Sequence, residues 1–252
     1  MFGIFLAILA GAALGAPAMC AQTVDEIIAK NILAHGGLEK LKSIKTLQTS
    51  GEFTIGSFRA NFLVDNKRPD KVREETIVQG QAQLKAYDGK MGWQVSPFRG
   101  RKDPELLSQD DLRTLEIEAD IDGPLVDYKA KGHRAELLGH DSVEGTDCYK
   151  IKLTLKNGDV RYYYLDADSF LEIKIEAKNT IRGAIEESET YLGDYEQRDG
   201  IYFPFAFEIG KKGDSDRAKF TVKNIEINIP LDDSLFSMPA PSARPNSSGG
   251  AQ

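Results

Sequence analysis

Three histidines, two cysteines and 39 carboxylates are the residues of this 252-residue chain that could do chemistry. His35 falls where a helix should end, and His133 and His140 stand seven apart with Asp141 following. Zinc sites use tighter pairs, such as two histidines four apart on a helix. The spacing here fits solvated or dipole-facing imidazoles, so no metal and no cofactor is expected. Cys148 opens a strand-like run, "DCYKIKL", without a nearby base, and reads as a small buried hydrophobe. There is no serine elbow and no glycine-rich phosphate loop. The carboxylates alternate with lysines, the pattern of cross-strand ion pairs on a wet sheet face. No catalytic residue emerges, and the chain is not expected to be an enzyme. The net charge of −7 argues against a nucleic-acid partner.

The apolar residues carry more information. Phe53, Ile55, Phe58, Phe62, Trp93, Phe98, Phe203, Phe205 and Phe207 fall on strand-like segments and would mostly face one concavity. They are ordinary core, or they line a cavity that sheet and cover leave open.

The elements that must position them begin after residue 21. The first residues, "MFGIFLAILAGAALGAPAMCAQ", read as a secretory signal peptide over 1–21, cut after Ala18 or Ala21. It lacks a Lys or Arg ahead of the apolar core. Cys20 would allow lipidation, but Met19 and Pro17 stand where that processing favours a small residue and a leucine. Thr23 and Glu26 form a capping box for a helix with Ile27, Ile28, Ile32 and Leu33 on its apolar face. Gly36-Gly37 ends it, and a second short helix runs from Leu38 to about Lys42.

The period then becomes two. Phe58, Ala60, Phe62 and Val64 alternate with polar residues, as do Tyr149, Ile151, Leu153 and Leu155, then Leu171, Ile173 and Ile175, then Ile201 to Ile209. Asn157-Gly158 and Asp199-Gly200 are hairpin turns. Short turns make the strands antiparallel. The expectation is a curved meander of about ten strands whose dry face needs a cover. The stretch 103–128 supplies one: Ser108 caps, and Leu112, Leu115 and Ala119 form a stripe before a break at Gly123-Pro124. The tail 239–252, rich in Pro, Ser and Gly, is expected to be disordered.

"KRPDKVREE" at 67–75 followed by "YDGKMGWQVSPF" at 87–98 resembles the bacterial LolA/LolB-like lipoprotein carriers, the outer-membrane lipoprotein-sorting proteins. The matching residues are Lys67, Arg68 and Pro69, then Asp88, Gly89, Lys90, Trp93 and Pro97. The resemblance implies a mainly β fold: an unclosed antiparallel barrel over 22–238 with a helical lid on an apolar cavity. Phe53, Ile55, Phe58, Phe62, Trp93, Phe98, Leu112, Leu115, Phe203, Phe205 and Phe207 would line that cavity. It implies a strand arginine that holds the lid, with Arg59 on an early strand, though its alignment is open. It further implies a monomeric periplasmic carrier for lipid or lipoprotein acyl chains, working between membrane-bound donor and acceptor proteins. The alternative is an envelope-stress sensor, a regulatory binding module of the same fold.

Overall fold

The computed structural model describes residues 22–97 and 100–240. The leader with Cys20, Phe98, and the chain beyond residue 240 lie outside the described residues.

Among the described residues three α-helices, α1 (Val24–Ala34), α2 (Leu38–Ser43) and α3 (Gln109–Glu118), accompany one sheet. Its strands are β1 (Thr46–Ile55), β2 (Phe58–Lys67), β3 (Lys71–Val78), β4 (Gln81–Tyr87), β5 (Gly92–Ser96), β6 (Arg101–Leu106), β7 (Arg134–Val143), β8 (Thr146–Thr154), β9 (Val160–Asp166), β10 (Glu172–Ile181), β11 (Ala184–Arg198), β12 (Ile201–Lys211) and β13 (Ala218–Ile227). The 13 strands run in the order β6-β5-β4-β3-β2-β1-β13-β12-β11-β10-β9-β8-β7, all antiparallel, with β6 and β7 as the two edges. The barrel is therefore unclosed. The sheet exceeds the expected ten strands, because β3, β4 and β6 ("KVREETIV", "QAQLKAY", "RKDPEL") are so rich in charged or polar residues that their alternation is hidden.

Local signals act as their chemistry dictates. Thr23 and Glu26 close the capping box on α1, and Ile27 and Ile28 are buried. Leu33, expected on the same apolar face, is 71% exposed. Gly36 lies at φ 119, and a Cβ there would come within 2.3 Å of the Gly200 carbonyl oxygen, so the close crossing of helix end and β11–β12 turn requires glycine. Ser108 caps α3. The expected helical cover over 103–128 is shorter: Asp103 to Leu106 belong to β6, and a series of turns follows α3.

Register sorts side chains onto two faces. Leu137, Ile151, Tyr163, Ile175, Thr190 and Ile209 form one cross-strand row. Phe207, Phe220, Phe53 and Ala60 form the next on the same face. α1 packs here against Ile151, Leu153, Tyr163 and Leu165. α3 packs Leu115 and Leu112 here against Val72 and Tyr87. α3 also reaches the β10–β11 hairpin, where Arg113 donates to the Thr180 carbonyl. One helix touching both walls identifies this face as the inside of the curl.

Trp93 belongs to the other face, in the row Gln48, Asp65, Arg73, Ala86, Trp93. This corrects the expectation that it lines the concavity. The Asp88–Met91 turn sets Gly92 opposite Tyr87, so Gly92 and Gln94 face inward and Trp93 outward. The chain after β13 covers it: Phe236 is fully buried, and the Trp93 Nε1–H donates to the Phe236 carbonyl at 2.7 Å. Lys67 and Lys71 hold that segment through Asp233 at 2.9 and 3.0 Å.

Candidate functional site

The inner face carries an aromatic cluster built by cross-strand pairing. Phe220 is its centre, stacked on Phe207 at 4.7 Å and on Phe53 at 5.0 Å. Phe62 meets Phe220 edge-on at 5.6 Å, and Phe58 leans on Phe53 at 5.9 Å. Such pairs add about 1 kcal/mol each beyond their burial. Phe62 fits because its partner is Gly51, where a Cβ would stand 2.9 Å from its ring. Phe62 and Phe205 are buried. Phe53, Phe203, Phe207 and Phe220 are half-buried. Ile55, Phe58 and Ile209, at the ends of their strands, are 42%, 43% and 38% exposed. A core would have closed over these rings. Here one side of the stack stays open along the trough.

α3 spans the trough. At its N-terminus Asp110 accepts from the Arg182 backbone N–H at 3.1 Å and pairs with Arg113. At its C-terminus the Asn66 side chain donates to the Glu118 carbonyl at 2.8 Å. The next segment is clasped by Arg68, which contacts Asp122 at 2.5 Å and the carbonyls of Leu41 and Ile44. Burial opposes ionisation of Asp122, but Arg68 and Lys42 outweigh it and lower its pKa to about 2. Arg59, the arginine considered for holding the lid, is exposed and lies 3.8 Å from Glu52.

Of the eleven residues expected to line a cavity, the fold brings Phe53, Ile55, Phe58, Phe62, Phe203, Phe205 and Phe207 onto one face of the sheet. Leu112 and Leu115 sit on α3 over a neighbouring patch with Val72 and Tyr87. Trp93 is on the opposite face, and Phe98 lies outside the described residues. Phe220 went unrecognised, although "KFTVK" alternates in the right phase to place it.

Charged residues inside the trough were also missed. Glu74 pairs across strands with Lys85, beside Val64. Glu118, the last residue of α3, is near enough to Glu74 to feel its charge. Lys85, and Arg161 on β9, act on Glu118 through space rather than by contact. Arg161 donates to Asn179 at 2.6 Å. The Glu118 side chain is open to solvent. Yet desolvation is the main force raising its pKa well above the ordinary range, followed by the charge of Glu74.

Beside α3, a cavity of about 590 Å³ opens between Arg113, Ile117, His133 and Leu155. That is within the size range of ligand pockets. A smaller one, about 230 Å³, lies among α1, the 120–126 turns and β12. Its wall holds His35, whose Nε2 is 2.7 Å from Glu172 and whose Nδ1 meets the Tyr202 carbonyl at 2.9 Å. The sequence suggests a solvated or dipole-facing imidazole for His35. Instead burial lowers its pKa, but the charge and hydrogen bond of Glu172 outweigh that and leave it raised. His133 accepts from the Lys156 N–H, and His140 lies 3.0 Å from Asp147. Cys148 is fully buried, which raises its thiol pKa. Among the described residues no three metal-ligating side chains converge.

A family model described as an uncharacterized protein matches residues 121–240. No curated protein matches the chain. Solved structures do. A LolA superfamily protein from Nitrosomonas europaea aligns with TM-score 0.60 at 13% identity, covering 86% of this chain and 98% of its own. A domain from Vibrio parahaemolyticus described as an outer membrane lipoprotein-sorting protein aligns with TM-score 0.57 at 14% identity, covering 84% and 94%. A DUF1329 family protein from Desulfovibrio piger gives 0.50 at 14%, covering 86% and 98%. The chain has a LolA-like fold.

Proposed function

We propose that the protein binds acyl chains of lipids or lipoproteins in the trough beneath α3 and carries them across the periplasm between membrane-bound donor and acceptor proteins. One observation carries this reading: Phe53, Phe203, Phe207 and Phe220 on the inner face are left only half-buried, beside a helix that reaches both walls. Removing apolar surface from water is favourable. At about 0.8 kcal/mol per methylene, the ~15 methylenes of a palmitoyl-length chain offer about 12 kcal/mol before ordering costs. That drives uptake and would trap the cargo if the trough enclosed it fully. An open side and an α3 held by few polar contacts suit a cargo that must leave again. The LolA-like fold, shared with a domain described as lipoprotein-sorting, supports the same reading.

The test is to purify the full chain from the envelope of a Gram-negative host, extract it with organic solvent and analyse the extract by mass spectrometry. Acyl lipid in near-stoichiometric amount is expected. A lipid-free protein that also acquires none from phospholipid vesicles contradicts the proposal.

A further inference from the structure

One side of α3 borders a cavity. Arg113, Glu116, Ile117 and Asp120 recur at i, i+3, i+4 and i+7, so they share a side of the helix and of the turn after it. With His133 and Leu155 they line the space of about 590 Å³. Ile117 packs against the cluster that holds Leu153, Leu155 and Tyr163, which places this space on the inner side of the sheet.

The charges around it cancel. Arg113, Lys131 and Lys156 stand against Asp70, Glu116 and Asp120. Lys131 is held by Asp120 at 2.5 Å and by the Gly123 carbonyl at 2.8 Å, and Arg113 by Asp110 and the Thr180 carbonyl. Glu116 and Lys156 are exposed, and Asp70 is half-buried. An ionised ligand would lose its hydration here for no net attraction. His133 is different. Its Nδ1 accepts the Lys156 backbone N–H at 3.1 Å, and an imidazole nitrogen that accepts carries no proton. The ring proton is therefore on Nε2, a donor without a partner among the described residues. Burial and the charge of Lys131 lower the His133 pKa against the smaller effect of Asp120, which keeps the ring neutral at pH 7. The cavity thus joins an uncharged donor to apolar walls from Pro69, Ile117, Pro124 and Leu155.

We propose that this cavity binds acyl esters, the His133 Nε2–H donating to the ester carbonyl oxygen while the chain lies against Ile117 and Leu155. This rests on the acyl-binding reading above and adds to it the place and chemical form of the carbonyl end. A free carboxylate finds no net countercharge in the cavity. An ether or an alkane leaves the Nε2–H unmet, and a site built around a donor discriminates against a ligand without the acceptor.

The experiment is equilibrium dialysis of the full chain against radiolabelled 1-monopalmitoylglycerol, 1-O-hexadecylglycerol and palmitate, each below its micellar concentration. The first two differ only in the carbonyl. Wild-type protein is expected to bind the ester about tenfold more tightly than the ether or palmitate. In His133→Phe the preference for ester over ether collapses, while ether affinity stays within about twofold. Loss of both together would assign His133 a structural role and overturn the proposal. Equal binding of ester and ether by wild type, or a preference that survives His133→Phe, overturns the carbonyl contact. Palmitate bound as tightly as the ester overturns the uncharged class. Failure of all three to bind overturns the acyl-binding reading as well.

Discussion

Single residues here owe their roles to the face they occupy. Trp93 anchors the C-terminal segment on the outer face through its bond to Phe236, away from the aromatic stack. Trp93→Phe leaves a buried carbonyl without a donor, at a cost of about 2 kcal/mol in urea unfolding followed by circular dichroism. Fatty-acid affinity should not change, and a loss of binding would place the indole in the trough after all. His35 and Glu172 form the other informative pair. Glu172 is pushed up by burial but held below its usual range by His35, while His35 is raised. The His35 contribution is complete below about pH 6.5 and drains away as pH rises through its higher folded value; that of Glu172 is lost in acid, below about pH 4.5. The stability gap between wild type and His35→Gln should therefore be widest near pH 6 and shrink by about pH 9. Denaturant midpoints at the two pH values measure it; a constant gap means the imidazole is neutral throughout.

At the scale of elements, α3 is short and amphipathic, and its fastening is polar at both ends. The Asp110 carboxylate is shared by Arg113 of its own helix and the Arg182 N–H of the β10–β11 hairpin. Asp110→Ala removes one of the helix's two bonds to that wall, leaving Arg113 on the Thr180 carbonyl, while Leu115 stays packed on Val72 and Tyr87. The dissociation rate of a bound fluorescent fatty acid should rise by about tenfold, with stability changed by only about 1 kcal/mol. Stopped-flow release measures the rate; an unchanged rate would mean α3 does not govern escape. The strands show a second polar device. On the outer face Lys174 bridges Glu176 and Glu189 at 3.0 and 2.9 Å, and Arg217 meets Glu189 at 2.6 Å. Glu176 and Glu189 are only 6% and 3% exposed, so what alternation marked as a wet face is a tightly packed ion-pair ladder.

At the scale of the molecule, the antiparallel meander and helical cover were legible because hairpin dipeptides, the capping box and the period of two are local signals. Asn157-Gly158 and Asp199-Gly200 turn where their chemistry requires, with Gly158 and Gly200 at positive φ. The inward rank of Phe53, Phe58, Phe62 and Phe207 was legible for the same reason. What depended on register was not. The face of Trp93 is decided by how the chain leaves the Asp88–Met91 turn, and one residue of slip would reverse it. The reach of α3 from Val72 and Tyr87 to the Thr180 carbonyl of the β10–β11 hairpin joins strands far apart in the sheet order, which only the curl of the sheet brings together. The trough itself is the central claim, and binding of a palmitoyl-length fluorescent fatty acid to the full chain tests it most directly. The protein should take up the probe with a micromolar or tighter Kd, and Phe58→Asp, at the exposed rim of the aromatic stack, should weaken it by about tenfold, equivalent to about 1.4 kcal/mol. No uptake, or uptake indifferent to Phe58→Asp, would contradict a half-open aromatic trough as the site of binding.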